Sequence, residues 1–181
     1  FTQQNVTIAS SNAVYFTNNA QYANVVVKLG NTTLYKDRDY KVEYSYLDKS
    51  GKTITTQSPK ESRTYTVTVT GIGNYAGSAY GTFQILPIPL DWTEIVLGSA
   101  TVYDTSSRTY VPKVTLRTKS GYTYGYTGNV IIPETDYDVS YRWVNSTSAY
   151  LRPTAVVTLS KNAVNLKKAS DNKTTEITKE F

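Results

Sequence analysis

The sequence predicts an all-β protein made of two tandem β-sandwiches. Three observations predict it. One unit recurs along the chain, its shared blocks alternate apolar and polar residues, and turn signals punctuate it at roughly 8 to 12-residue intervals. An up-and-down barrel is the alternative way to close such strands.

The recurrence is legible in three blocks. QYANVVVKL at 21–29 matches TYVPKVTLR at 109–117, an offset of 88. DYKVEY at 39–44 returns as DYDVSY at 136–141, an offset of 97. TYTVTVT at 64–70 returns as TAVVTLS at 154–160, an offset of 90. The order is kept while the spacing changes, so the strands persist and the loops between them differ. The residues gained by the second copy fall around GYTYGYTGN at 121–129, which is expected to be an inserted hairpin. The residues it loses come from LDKSGKTITTQSPKES.

Strand period follows from side-chain alternation. Tyr40, Val42 and Tyr44 point one way and Asp39, Lys41 and Glu43 the other; Tyr137, Val139 and Tyr141 repeat the pattern. Tyr65, Val67 and Val69 share a face opposite Thr66, Thr68 and Thr70. Threonine suits an exposed pleat because it branches at Cβ. One buried and one wet face per strand favours antiparallel sheets. KNAVNLKKA at 161–169 is the only helix-like stretch, and it is short. LDKSGKT and GIGNYAG are turn signals. LPIPL at 86–90 should end the first copy, because proline cannot donate to a sheet. The expected division is therefore 1–87 and 88–181, with a short, stiff proline connector that limits hinge motion.

Composition excludes several functions. The 181 residues include no cysteine, histidine or methionine. That removes disulfides, thiolate nucleophiles, Ser-His-Asp and Cys-His triads, and the commonest zinc ligands. A lysine-activated serine or a carboxylate pair remains available in principle, but both usually need a deep cleft. The net charge of +5 comes from dispersed residues, with no basic run of the kind that binds nucleic acid. Attraction to anionic polymers is compatible with it. No apolar run reaches the roughly 20 residues that span a bilayer. The opening FTQQNVTIAS reads as a processed or excised start.

The order Leu34, Asp39 to Tyr44, Tyr65 to Thr70, Gly71-Ile72-Gly73-Asn74-Tyr75-Ala76-Gly77, Phe83 and Ile85 resembles a repeat found in tandem in bacterial cell-surface proteins. Those repeats are similar to bacterial immunoglobulin-like modules. The second copy keeps DYDVSY and a final strand in TTEITKEF, but has KNAVNLKKASDN where the first has GIGNYAG. The resemblance implies a non-enzymatic spacer, stalk or adhesive segment, extracellular on a bacterial surface. Its expected partners are a host glycan or protein, a cell-wall polymer, or neighbouring repeats of the same chain, with no nucleic acid and no membrane insertion. The alternatives are a carbohydrate-binding module pair or an accessory domain of an exported hydrolase. No cofactor, catalytic residue or metal ligand is assigned.

The candidate ligand contacts are Tyr122, Tyr124 and Tyr126, alternate residues with glycines beside them, which would share one face of a strand. Exposed tyrosine rings stack on sugars, although the same row can simply protect a sheet edge. Asp37 with Asp39, and Asp136 with Asp138, have calcium-loop spacing but lack the rest of a calcium loop. Asp39 and Asp136 read better as strand-entry residues bonded to turn backbone. Trp92 and Trp143 read as core. A Lys–Asn crosslink of the kind found in surface stalks would need a buried pair beside a carboxylate, and no pair is assigned.

Overall fold

A computed structural model describes residues 5–8, 13–105, 109–121, 129–143 and 153–181. The chain forms two compact units, Phe1–Leu86 and Pro87–Phe181, both built of strands. Two one-turn 3-10 segments, Leu90–Trp92 and Glu134–Asp136, lie among the described residues. No helix there is long and apolar enough to cross a membrane.

In unit 1, β1 (Val6–Ile8), β3 (Val25–Leu29) and β4 (Thr32–Thr33) make a small antiparallel sheet. A larger sheet runs β2-β8-β7-β5-β6, from β2 (Ala13–Tyr15), β5 (Tyr40–Leu47), β6 (Thr53–Thr56), β7 (Thr64–Gly71) and β8 (Ser78–Leu86). β2 joins it in parallel, and the other pairings are antiparallel. The predicted alternation is present: Tyr40, Val42, Tyr44, Tyr65, Val67 and Val69 are buried, while Lys41, Glu43, Thr64 and Thr66 face water. Val6, Val27 and Leu34 from the small-sheet side complete the core with Phe16, Phe83 and Ile85. The core therefore lies between two layers of sheet.

Among the described residues, unit 2 repeats this plan with fewer strands. β10 (Thr93–Asp104) and β11 (Thr109–Thr118) form one antiparallel pair. β12 (Tyr137–Arg142), β13 (Thr154–Leu159) and β15 (Glu176–Glu180) form the second sheet, in the order β12-β13-β15. β9 (Ile88–Pro89) pairs in parallel with β14 (Leu166–Lys167). The proline segment is thus part of unit 2 rather than a free connector. Ile88 donates its amide to the Asn165 carbonyl, and Ile88 and Leu90 are buried. The stretch 161–169 is not helical; it turns and then supplies β14.

Matching hydrogen bonds define equivalent residues in the two units. Leu34 donates to the Val27 carbonyl, and Ile132 to the Leu116 carbonyl, both at 2.9 Å. Val27 faces Val6 in the ladder, and Leu116 faces Ile95. Val27 therefore corresponds to Leu116, one residue away from the match made by aligning Tyr22 with Tyr110. One residue reverses the faces of a strand. On the facing strand β10, residues 98–100 bulge opposite Lys113, beside Pro112, which has no amide proton to give. In the DY block the sequence match holds. Ile72 donates to the Asp39 carbonyl at 3.0 Å, and Ser160 to the Asp136 carbonyl at 3.1 Å. The partner strand lies two residues from its sequence match, with Val69 equivalent to Val157, because Val42 pairs with Val69 and Val139 with Val157. A shift of two preserves the faces.

A tyrosine ties the two layers in each unit. The Tyr44 hydroxyl accepts the Ala23 amide at 3.0 Å. The equivalent Tyr141 meets Pro112, which has no N–H, and its hydroxyl instead donates to the Pro112 carbonyl at 3.0 Å. Burial raises the pKa of both phenols, so both stay protonated near neutrality.

The turn from β7 to β8 explains the first-copy glycines. The Gly71 amide donates to the Gly77 carbonyl at 3.0 Å, and Gly73 and Gly77 hold φ of 64° and 91°. A Cβ on Gly71 would come within 2.9 Å of the Tyr75 carbonyl carbon. The equivalent position in unit 2 is Leu159, so that unit needs the longer route through 160–175. Gly71→Ala should destabilise unit 1 by about 1–3 kcal/mol through this backbone clash. Both tryptophans lie in unit 2. The urea midpoint read by tryptophan fluorescence should therefore stay fixed while amide exchange in β7 and β8 accelerates.

Candidate functional site

Tyr122, Tyr124 and Tyr126, the contacts nominated by sequence, lie outside the described residues. The flanks of that stretch are placed. Thr118 donates its amide to the Val130 carbonyl at 3.0 Å, and its hydroxyl oxygen accepts the Val130 amide at 2.9 Å.

The two strand-entry aspartates are occupied by hydrogen bonds. Asp39 accepts the Tyr35 amide at 2.8 Å and the Arg38 guanidinium at 3.0 and 2.8 Å. Asp136 is only 1% exposed. It accepts the amide of Val164 at 2.6 Å and the side-chain amide of Asn165 at 3.0 Å. Among the described residues, no group of three or more acidic side chains gathers as a metal site would require. Trp143 is 38% exposed at the end of unit 2, edge-on to Phe181.

Two recesses are lined in part by tyrosines. In unit 2 the layers part beside β12: Tyr137 is buried, but Val139 is 38% exposed, unlike its buried equivalent Val42. The resulting apolar groove of about 270 Å³ is lined by Val102, Val114, Tyr137, Val139 and Tyr141, with a Lys113–Glu134 ion pair of 3.0 Å at its rim. On the β10–β11 hairpin, Tyr103 and Tyr110 form an exposed cross-strand pair with ring centroids 5.3 Å apart.

The second recess, in unit 1, is a cleft of about 240 Å³ lined by Tyr46, Thr56, Ser58, Lys60, Glu61 and Tyr65. Tyr46 continues the inner-face series of Tyr40, Val42 and Tyr44 and meets Tyr65 edge-on at 5.7 Å. Burial pushes the Tyr65 phenol up, and its hydroxyl donates to the Glu61 carbonyl at 2.9 Å. Arg63 lies 3.9 Å above the Tyr46 ring and is ion-paired with Glu61. The wall from Ser58 to Arg63 is pinned from three sides. Gln21 donates to the Pro59 carbonyl at 2.8 Å, Tyr65 to that of Glu61, and Ile85 to that of Arg63 at 3.0 Å. Chemically the cleft offers an aromatic ring, two aliphatic hydroxyls and charged groups. Its wall lies in LDKSGKTITTQSPKES, the segment shortened in the second copy. That shortening was the one sequence signal for the site.

No protein-family model matches the chain, and no curated protein or solved structure is significantly similar to it.

The Asp39 carboxylate is held below the usual carboxylate range, first by the Arg38 hydrogen bonds and then by the Tyr35 amide. Its folded pKa lies under its unfolded one. Its stabilisation is therefore present above about pH 4 and is lost as pH falls through the folded value. Asp48, held down by Ser50 and the Lys52 amide, adds a contribution of the same sign. Asp39→Asn should flatten the acid limb of unit 1 stability without abolishing it. The check is an NMR-detected urea midpoint for unit 1 amides between about pH 5 and pH 2.

Proposed function

We propose that this chain is a non-enzymatic spacer or adhesive segment of a bacterial cell-surface or secreted protein, formed by two immunoglobulin-like β-sandwiches. The observation that carries the reading is one plan executed twice. Each unit has its own core, a strand-entry aspartate, an inter-layer tyrosine bond and a matching small-sheet crossing bond. Repetition of self-contained units is how a chain gains reach without a shared core. The immunoglobulin-like assignment draws further support from unit 1. Its first strand pairs with one sheet before its continuation, β2, joins the other. Tyr65, at the start of β7, bonds back to the Glu61 carbonyl as a tyrosine corner does. The proposed partners are a host glycan or protein, a cell-wall polymer and neighbouring repeats. The carbohydrate-binding reading is favoured by one specific observation, the cleft of unit 1.

Single-molecule pulling on the full chain tests the spacer reading. Two separate unfolding events are expected, each releasing on the order of 300 Å of chain, from units of 86 and 95 residues. One event releasing the whole length at once would mean a single cooperative body and would sink the reading.

A further inference from the structure

We propose that the unit 1 cleft binds a carboxylated saccharide, one acidic pyranose residue at a time. The proposal deepens the adhesive reading above and rests on it for biological context, but its chemistry comes from the cleft itself.

Size sets the first limit. At about 240 Å³ the recess is smaller than the roughly 300–1,000 Å³ typical of drug-sized sites, and suits one sugar ring. One face of the Tyr46 ring is covered by Arg63, and the apolar area that the ring still presents to the cleft suits the C–H face of a pyranose. Hydroxyls surround it. Thr56 Oγ1 accepts the Ser58 amide at 3.1 Å, which leaves the Thr56 hydroxyl proton to donate elsewhere. Ser58 contributes a second hydroxyl that can donate or accept.

Charge selects among sugars. Arg63 and Glu61 neutralise each other, and the Arg63 guanidinium is stacked on Tyr46. Lys60 has no ion-pair partner among the described residues. The cleft therefore carries one unmatched positive charge, on a mobile ammonium suited to a carboxylate. A neutral sugar would leave that charge unused, and an amino sugar would be repelled by it.

The wall is also pre-positioned. Three backbone carbonyls in 59–63 are held by bonds from Gln21, Tyr65 and Ile85, so little ordering is needed on binding. Finally, the wall is an elaboration. Unit 2 builds equivalent strands with eleven residues between β12 and β13, where unit 1 uses sixteen between β5 and β7. Those sixteen residues include β6 and the buried Pro59 and Ser62, and the side chains they bring to the cleft are Thr, Ser, Lys and Glu.

The test is an NMR titration of the full ¹⁵N-labelled chain with methyl glucuronide, a methyl sialoside and neutral methyl glucoside. The expected result is saturable shifts at Tyr46, Thr56, Ser58 and Lys60, with at least one acidic sugar binding about tenfold or more tighter than the glucoside. Lys60→Gln, an exposed change that leaves the core alone, should reduce the acidic sugar to the level of the glucoside. Which acidic sugar responds separates a uronic-acid polymer from a sialylated glycan. Equal binding of the glucoside, shifts centred elsewhere, no shifts at all, or indifference to Lys60→Gln would each overturn the proposal. Those failures leave the two-event unfolding pattern untouched, so the site and the spacer reading fail separately.

Discussion

A carboxylate at the entrance to β5 in one unit and to β12 in the other governs both units. A buried acid must be hydrogen-bonded or it destabilises the fold that contains it. Unit 1 satisfies Asp39 from its own turn, with the adjacent Arg38 and the Tyr35 amide. In unit 2 the residue before the aspartate is Thr135, so no adjacent guanidinium is available. Asp136 takes its donors from 164–165 instead. That requirement gives the long route from β13 to β15 a physical purpose. The segment that replaces the glycine turn is also the one that closes over the acid. Asp91 holds the same route further along, accepting the Ser170 amide at 2.8 Å. The loss of Gly71 and the loss of Arg38 are thus answered by one insertion.

The tyrosine ties follow similar logic. A phenol can accept or donate, so one position survives a change in its partner. Ala23 offers an amide proton and Pro112 offers only a carbonyl, and Tyr44 and Tyr141 accommodate the two by reversing the direction of the bond. Phenylalanine could fill the same volume but could serve neither partner. This is one physical reason for tyrosine to recur in the DY-x-V-x-Y block, beyond its apolar area.

These regularities show which parts of the fold were legible in the sequence. Alternation in DYKVEY and TYTVTVT gave strand type and inner face, because a two-residue period leaves little room for another geometry. Duplication of Asp39 as Asp136 fixed the equivalence of the units. Register was harder. Tyr22 and Tyr110 look alike, yet Leu116 lies six residues beyond Tyr110 while its equivalent Val27 lies five beyond Tyr22, so a match made on the tyrosines hides a change of face. The buried face predicted for Val139 also failed to close, since burial depends on what the facing layer brings. Pro89 looked like a linker residue because proline cannot donate, but the neighbouring Ile88 amide was enough to seat the segment in a sheet. The tyrosine trio at 122–126 had the right chemistry on paper, and the described residues stop on either side of it.

The cleft was the least legible feature, because no residue in it is unusual alone. Its parts come from β5, from the end of β6, from the following turn and from the start of β7, and only pairing brings them together. What the sequence did show was a length difference between copies that otherwise share their strands. Where two units share strand pairings, a segment present in one and shortened in the other is under fewer of the constraints that made the rest alike. In unit 1 that segment is tied down by backbone hydrogen bonds, carries polar side chains toward an aromatic ring, and leaves Lys60 without an ion pair among the described residues. Pro59 and Ser62 anchor the wall, while Ser58, Lys60 and Glu61 are exposed and are ordered beside them at a cost in entropy. Recognition of a ligand is the purpose that such preorganisation serves.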